Sequence, residues 1–212
     1  MLITIVDYGA GNIGSVQRAC AEIGVQSSIV SDPLGVKSAE KIIFPGVGAA
    51  PQAMGRLQQT GIGGALQQAY ASGIPVLGIC IGAQIVLERS EEGDVPCLGL
   101  IPGTTVRFRF KDNTLKIPHM GWNVVRPVQS HPLLDGVDKE DEFYFVHSYY
   151  PQPAGKEYVY AVTDYGSEFC CALGYKNLFA VQFHPEKSGR PGLELLRRFA
   201  RWDGTTRSEG KK

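Results

Sequence analysis

The chain has 212 residues, 43% of them hydrophobic and 20% charged, with 21 bases against 21 acids. That apolar fraction is enough to fill a globular core of one domain or two small ones. A net charge of zero argues against a chain built to follow nucleic acid or an anionic membrane.

In chain order, Leu2–Val6 reads as a buried strand. The apolar start has no basic residue before it and breaks at Asp7, so no secretory signal is expected. No apolar run reaches the roughly 18 residues of a membrane span. After the turn-rich segment Asp7–Asn12, apolar positions at helical spacing predict a helix over Ile13–Ile23, stopped by Gly24. Gln26–Val30 and Lys41–Phe44 read as strands, Leu57–Ser72 as a helix, Ile74–Ile79 as a strand and Ile81–Arg89 as a helix. This alternation predicts a mostly parallel sheet flanked by helices. The second half predicts an antiparallel β extension, from strands over Val106–Phe110, Asn123–Val128, Glu142–Ser148, Glu157–Thr163, Phe169–Tyr175 and Leu178–Phe183. Asn177 sits in a turn between the last two strands. A closing helix over Pro191–Trp202 carries Leu193, Leu196, Phe199 and Ala200 on one face. The expected organisation is one α/β domain over residues 1–202 with a frayed tail over 203–212. Five cysteines (20, 80, 97, 170 and 171) without metal-type spacing fit a reduced, cytoplasmic setting.

Gly78-Ile79-Cys80-Ile81-Gly82 falls where a buried strand passes into a helix. This is the cysteine form of a nucleophile elbow: the sharp turn projects the side chain, and the helix N-terminus favours a thiolate. A small buried hydrophobe is the other reading of Cys80, and the better one for Cys20. Phe183-His184-Pro185-Glu186 supplies a base, because residues two apart in an extended segment share a face and Glu186 can orient the His184 imidazole. Alone, His184 fits a hydrogen-bonded loop histidine and Glu186 a solvated acid. Pro45-Gly46-Val47-Gly48 follows a strand, so its N–H groups can lie beside the elbow and face an oxyanion. Alone, it fits an ordinary tight turn. No Gly-Lys-Ser/Thr follows it, which excludes a phosphate loop.

Taken in order, the PG-x-G loop, the G-x-C-x-G elbow with Gln84 four residues beyond the cysteine, and the late HPE resemble the class I glutamine amidotransferases. The segments Asp7–Asn12 with Ser15-Val16, Pro118–Asn123, Phe145–Tyr149 and His184–Gly189 are similar to those of the glutaminase subunits of imidazole glycerol phosphate synthases. The resemblance runs from about residue 2 to about residue 200, with Ala83 standing where that family usually has Met. It implies a glutaminase that uses Cys80, His184 and Glu186 and calls for no cofactor or metal. It also implies an oxyanion hole from backbone N–H groups at Ile81, Val47 and Gly48, and glutamine held by Gln84, Glu92, Ser148 and Tyr149. The implied partner is a separate (βα)8-barrel cyclase subunit that receives ammonia for histidine synthesis, with Asn12 and Trp122 expected at the interface. Trp122 packed into the core is the other reading of that side chain. His119, His131 and His147 read as structural.

The rival functions are the same chemistry serving another synthase, a thiol hydrolase acting on peptides, and a non-catalytic binding module. The segments around Tyr8 and Trp122 argue against the first. Gln84 and the Pro45–Gly48 loop argue against the second through the family pattern alone. Against the third stands the joint presence of Cys80, His184 and Glu186, which a binding module does not need.

Overall fold

A computed structural model describes residues 2–9, 11–110 and 115–206. The first half comprises β1 (Leu2–Val6), α1 (Ile13–Glu22), β2 (Gln26–Val30), α2 (Pro33–Lys37), β3 (Ile42–Gly46), α3 (Ala50–Thr60), α4 (Ile62–Ala71), β4 (Val76–Cys80) and α5 (Ile81–Ile85). Short strands β5 (Arg89–Ser90) and β6 (Val95–Pro96) precede β7 (Gly103–Arg107), β8 (His119–Val124) and β9 (Arg126–Pro127). The chain continues with β10 (Glu142–His147), β11 (Tyr149–Pro153), β12 (Val159–Asp164), β13 (Glu168–Tyr175) and β14 (Leu178–Val181), and then α6 (Gly189–Arg201).

An eight-stranded sheet runs in the order β2-β1-β3-β4-β14-β13-β12-β9. From β2 to β14 every pairing is parallel, and beyond β14 every pairing is antiparallel. The predicted parallel sheet with an antiparallel extension is therefore present. The central strands are apolar on both faces because both are covered. Ile3, Ile5, Ile43, Leu77, Ile79, Phe179 and Val181 pack toward α1 and α6. Their alternating neighbours Ile42, Phe44, Val76, Leu178 and Ala180 pack toward α2 to α5. Two smaller sheets complete the fold: β8–β10 is antiparallel, and β11-β7-β5-β6 is antiparallel except for the parallel β5–β7 pairing.

Lys41 precedes β3 rather than lying within it. It is buried, and its Nζ donates to the carbonyls of Phe199, Ala200 and Trp202. It thus caps the C-terminus of α6, where unpaired carbonyls favour a cation.

Several predicted boundaries are corrected. The predicted helix over Leu57–Ser72 is two helices: Gly61 at φ 72° ends α3, and α3 reaches back to Ala50, with Pro51 in its first turn. Residues 50–56 carry too few large apolar side chains to show a helical period, although Ala50 and Ala53 are buried. The helix after Cys80 stops at Ile85 instead of Arg89, because the N–H groups of Leu98, Leu100 and Gly99 take the carbonyls of Ile85, Val86 and Leu87. Arg89 is then free to begin β5. β11 escaped prediction because it contains Pro151 and Pro153, which an edge strand tolerates. β8 begins at His119, earlier than the predicted Asn123. On α6 the buried positions are Gly192, Leu195, Leu196, Phe199 and Ala200, with Leu193 only half-buried. Of the predicted tail, Trp202 Nε1 donates to Thr205 O and Asp203 accepts from Thr205, while residues 207–212 lie outside the described residues.

Candidate active site

β3, β4 and β14 run parallel and end at the same sheet edge, which is where a parallel α/β sheet builds its sites. Cys80 is the last residue of β4 and caps α5 at φ 56°, ψ −106°. A non-glycine residue in this region is strained by about 1–3 kcal/mol. The same turn projects the side chain from the end of the strand. Gly82 is required by close approach, since a Cβ there would run into the Phe44 carbonyl. Gly46, the last residue of β3, pairs in register with Cys80, so the chain leaves the sheet at Val47–Gly48 beside the cysteine.

His184 follows β14 and Glu186 lies in the 3-10 turn Pro185–Lys187. Their side chains are buried, with His184 Nδ1 2.8 Å from Glu186 Oε1. His184 N–H donates to Tyr144 O, and Ser188 Oγ–H donates to His184 O, so the backbone carrying the imidazole is fixed on both sides. His184 Nε2 is buried with no hydrogen-bond partner among the described residues. Burial alone would push the imidazole pKa down. The neighbouring Cys80 sulfur and the Glu186 carboxylate outweigh it and hold His184 up at about 10. Both neighbours thus favour a proton on the ring, the form that can pair with a cysteine nucleophile.

A cavity of about 380 Å³ opens at this edge, lined by Val47, Gly48, Cys80, Ile81, Gln84, Glu92, Ser148, Tyr149 and His184, together with Pro118, Val146 and His147. The residues expected to form the oxyanion hole and to hold substrate thus share one cavity with the sulfur and the base. Gln84 is buried, and its Nε2 donates to Tyr149 O at 2.9 Å and to Gln182 Oε1 at 3.1 Å. Glu92 Oε2 accepts the Ala50 N–H at 2.7 Å, which seats the carboxylate at the start of α3. A carboxylate has further lone pairs, so Glu92 can also receive an ammonium. Asn12 lies elsewhere, as the N-cap of α1. Trp122 is 53% exposed on β8 rather than packed in the core, beside exposed Met120 and Val124.

Two contributors were not anticipated. Gln182 is fully buried, and its Nε2 lies 3.7 Å from Cys80 Sγ. The expected extended segment from His184 to Glu186 is instead the start of a 3-10 turn, and it is this turn that brings the carboxylate back to the imidazole. His147, expected to be structural, lines the cavity. A larger groove of about 610 Å³ between Val128, Tyr150 and Phe169 contains Cys170, whose thiol burial pushes up to about 12, and no histidine accompanies it. Among the described residues no group of His, Cys, Asp and Glu is placed to hold a metal, and no helix is long and apolar enough to cross a membrane.

The family model for class I glutamine amidotransferases matches residues 4–201. The imidazole glycerol phosphate synthase subunit HisH of Nitratidesulfovibrio vulgaris strain DP4 is 50% identical, covering 95% of this chain and 96% of its own. The subunit of the same name from Desulfovibrio desulfuricans is 47% identical over 99% of both chains. Among solved structures, a chain in the structure of PurLQS from Thermotoga maritima superposes with a TM-score of 0.73 at 19% identity, covering 94% of this chain and 97% of that one. A crystal structure of a glutamine amidotransferase gives 0.72 at 18% identity, covering 95% and 99%.

Proposed function

The chain belongs to the class I glutamine amidotransferases, and from that premise we propose that it is the glutaminase subunit of an imidazole glycerol phosphate synthase. It hydrolyses glutamine and passes ammonia to a (βα)8-barrel cyclase subunit in histidine biosynthesis, in the cytoplasm. The domain is residues 1–202. The observation that carries the chemistry is the buried His184–Glu186 pair, whose imidazole shares a cavity with the strained Cys80.

Cys80 Sγ attacks the side-chain carboxamide carbon of glutamine. The N–H groups of Ile81 and of the Val47–Gly48 loop receive the oxyanion. His184 Nε2–H protonates the departing ammonia, and a thioester remains on Cys80. His184, now neutral, takes a proton from water, which attacks the thioester and releases glutamate. Glu186 holds the ring so that Nε2 is the nitrogen that exchanges protons. Glu92 takes the α-ammonium of glutamine, and the Ser148–Tyr149 backbone takes the α-carboxylate, with Gln84 bracing that backbone. Asn12 and the exposed stripe around Trp122 face the cyclase.

A chloromethyl ketone analogue of glutamine tests the site. One equivalent is expected on Cys80, slowed by glutamine and absent in Cys80→Ala. Labelling of another cysteine, or labelling indifferent to glutamine, would contradict the assignment.

A further inference from the structure

His147 Nδ1 lies 2.8 Å from Tyr149 O, the carbonyl that also accepts from Gln84. A carbonyl only accepts, so Nδ1 of His147 carries the hydrogen. His147 Nε2 lies 3.1 Å from Nδ1 of His119, which stands directly opposite in the β8–β10 ladder. Both rings are dry, at 5% and 3% exposure. His119 stacks between Tyr165 and Phe145, at centroid separations of 4.1 and 5.0 Å. Burial pushes His119 down to about 4 and His147 down to about 3, and the His184 charge further disfavours a proton on His147.

A neutral imidazole has a single N–H. With Nδ1 of His147 donating to the carbonyl, its Nε2 must accept, so Nδ1 of His119 must donate. Nε2 of His119 is then a bare acceptor, and Asn123 Nδ2 lies 3.4 Å from it. Asn123 Oδ1 accepts the Val124 N–H while Nδ2 donates to Asp164 O, which fixes the amide the right way round. The donors therefore all run one way, from Asn123 through His119 and His147 to Tyr149 O. Phe108 N–H bonds Ser148 O, so the alternation of an antiparallel ladder turns the Tyr149 N–H and C=O away from β7 together. Holding that carbonyl also aims the neighbouring N–H, in a residue that lines the cavity.

We infer that His147 and His119 are positioning residues for the substrate carboxylate: two Nδ1–H imidazoles in series that, with Gln84, fix the Tyr149 peptide groups at which glutamine binds. The chain begins at Asn123 on β8, the strand that presents Met120 and Trp122 to solvent. This rests on the glutamine-binding role proposed above.

The test has two arms, both on the full chain with its cyclase partner. Imidazole ¹⁵N shifts at pH 7 should report the Nδ1–H tautomer at both His119 and His147. In glutamine hydrolysis, His147→Asn keeps a nitrogen donor near the Nδ1 position and should hold KM within about threefold of wild type. His147→Gln moves the nitrogen toward the Nε2 position and should raise KM about tenfold with kcat little changed. An Nε2–H tautomer at His147, or equal KM values in the two variants, would overturn the inference. If neither variant folds, the tautomers of the wild-type chain decide. A wild-type chain with partner that releases no glutamate would contradict the functional reading, whereas the wrong tautomer in an active wild type would contradict only this one.

Discussion

Gly46 stands directly opposite Cys80 in the β3–β4 ladder, and a Cβ at Gly46 would run into the Tyr8 hydroxyl and the Ile81 side chain. Those two side chains flank the backbone proposed to receive the oxyanion. Gly46→Ala is therefore expected to lower kcat/KM for glutamine by about 10²-fold or more, the size associated with losing one oxyanion donor. Tyr8→Phe should leave stability unchanged or slightly raised, since its buried hydroxyl has no hydrogen-bond partner among the described residues. Steady-state kinetics and urea unfolding check both. Wild-type kcat/KM in Gly46→Ala would contradict the close packing.

The His184 imidazolium sets the pH dependence. Its pKa is held up at about 10 against an ordinary 6.5, so the acid of the proposed mechanism persists across neutral and mildly alkaline pH. Its contribution to stability is complete below 6.5 and is lost as pH rises through about 10. The alkaline limb of kcat/KM is expected near 10, and Glu186→Gln should move it downward by removing one of the groups that raise His184. A wild-type limb near 6.5 would contradict the ion pair.

Lys41 ties the start of the central sheet to the end of the helix that follows the His184–Glu186 turn. Lys41→Met leaves those carbonyls without their cation and should lower the unfolding free energy by about 2–3 kcal/mol. Denaturant titration reads this directly, and a loss below about 0.5 kcal/mol would show the cap to be dispensable.

The core of the site was legible in the sequence because its chemistry is carried by short local patterns. The elbow around Cys80 and the His184–Glu186 spacing each need only a strand end and its next few residues, although a 3-10 turn rather than extended alternation brings Glu186 to the imidazole. What stayed hidden depends on tertiary contacts. Residues 98–100 end α5 by taking the carbonyls of Ile85 and of Val86 and Leu87 just beyond it, and Pro151 and Pro153 disguise an edge strand. His147 reads as structural until β8 and β10 pair and bring it against His119 at the cavity wall. The exposure of Trp122 follows from the same pairing, since alternate residues of β8 face outward while His119 and Asn123 face in.

Acid sensitivity follows from the other histidines. Burial depresses His119 to about 4 and His131 and His147 to about 3, while an unfolded chain binds those protons near 6.5. Their contribution is complete above 6.5 and declines as pH falls, by up to about 1.4 kcal/mol per pH unit for each ring. His131 stacks on Phe179 and does not line the catalytic cavity, so His131→Phe isolates one share. Its stability between pH 6.5 and 4 should fall less steeply than that of the wild type. An identical slope would contradict a buried neutral His131.

Partner-gated chemistry at Cys80 is tested most directly by glutamate release from glutamine. The purified chain is assayed alone and with a histidine-pathway cyclase subunit carrying its nucleotide ligand, beside Cys80→Ala. Strong stimulation by the cyclase, abolished in Cys80→Ala, is the predicted result. Stimulation that survives Cys80→Ala would contradict the nucleophile, and no stimulation of the wild type would contradict its place in this synthase.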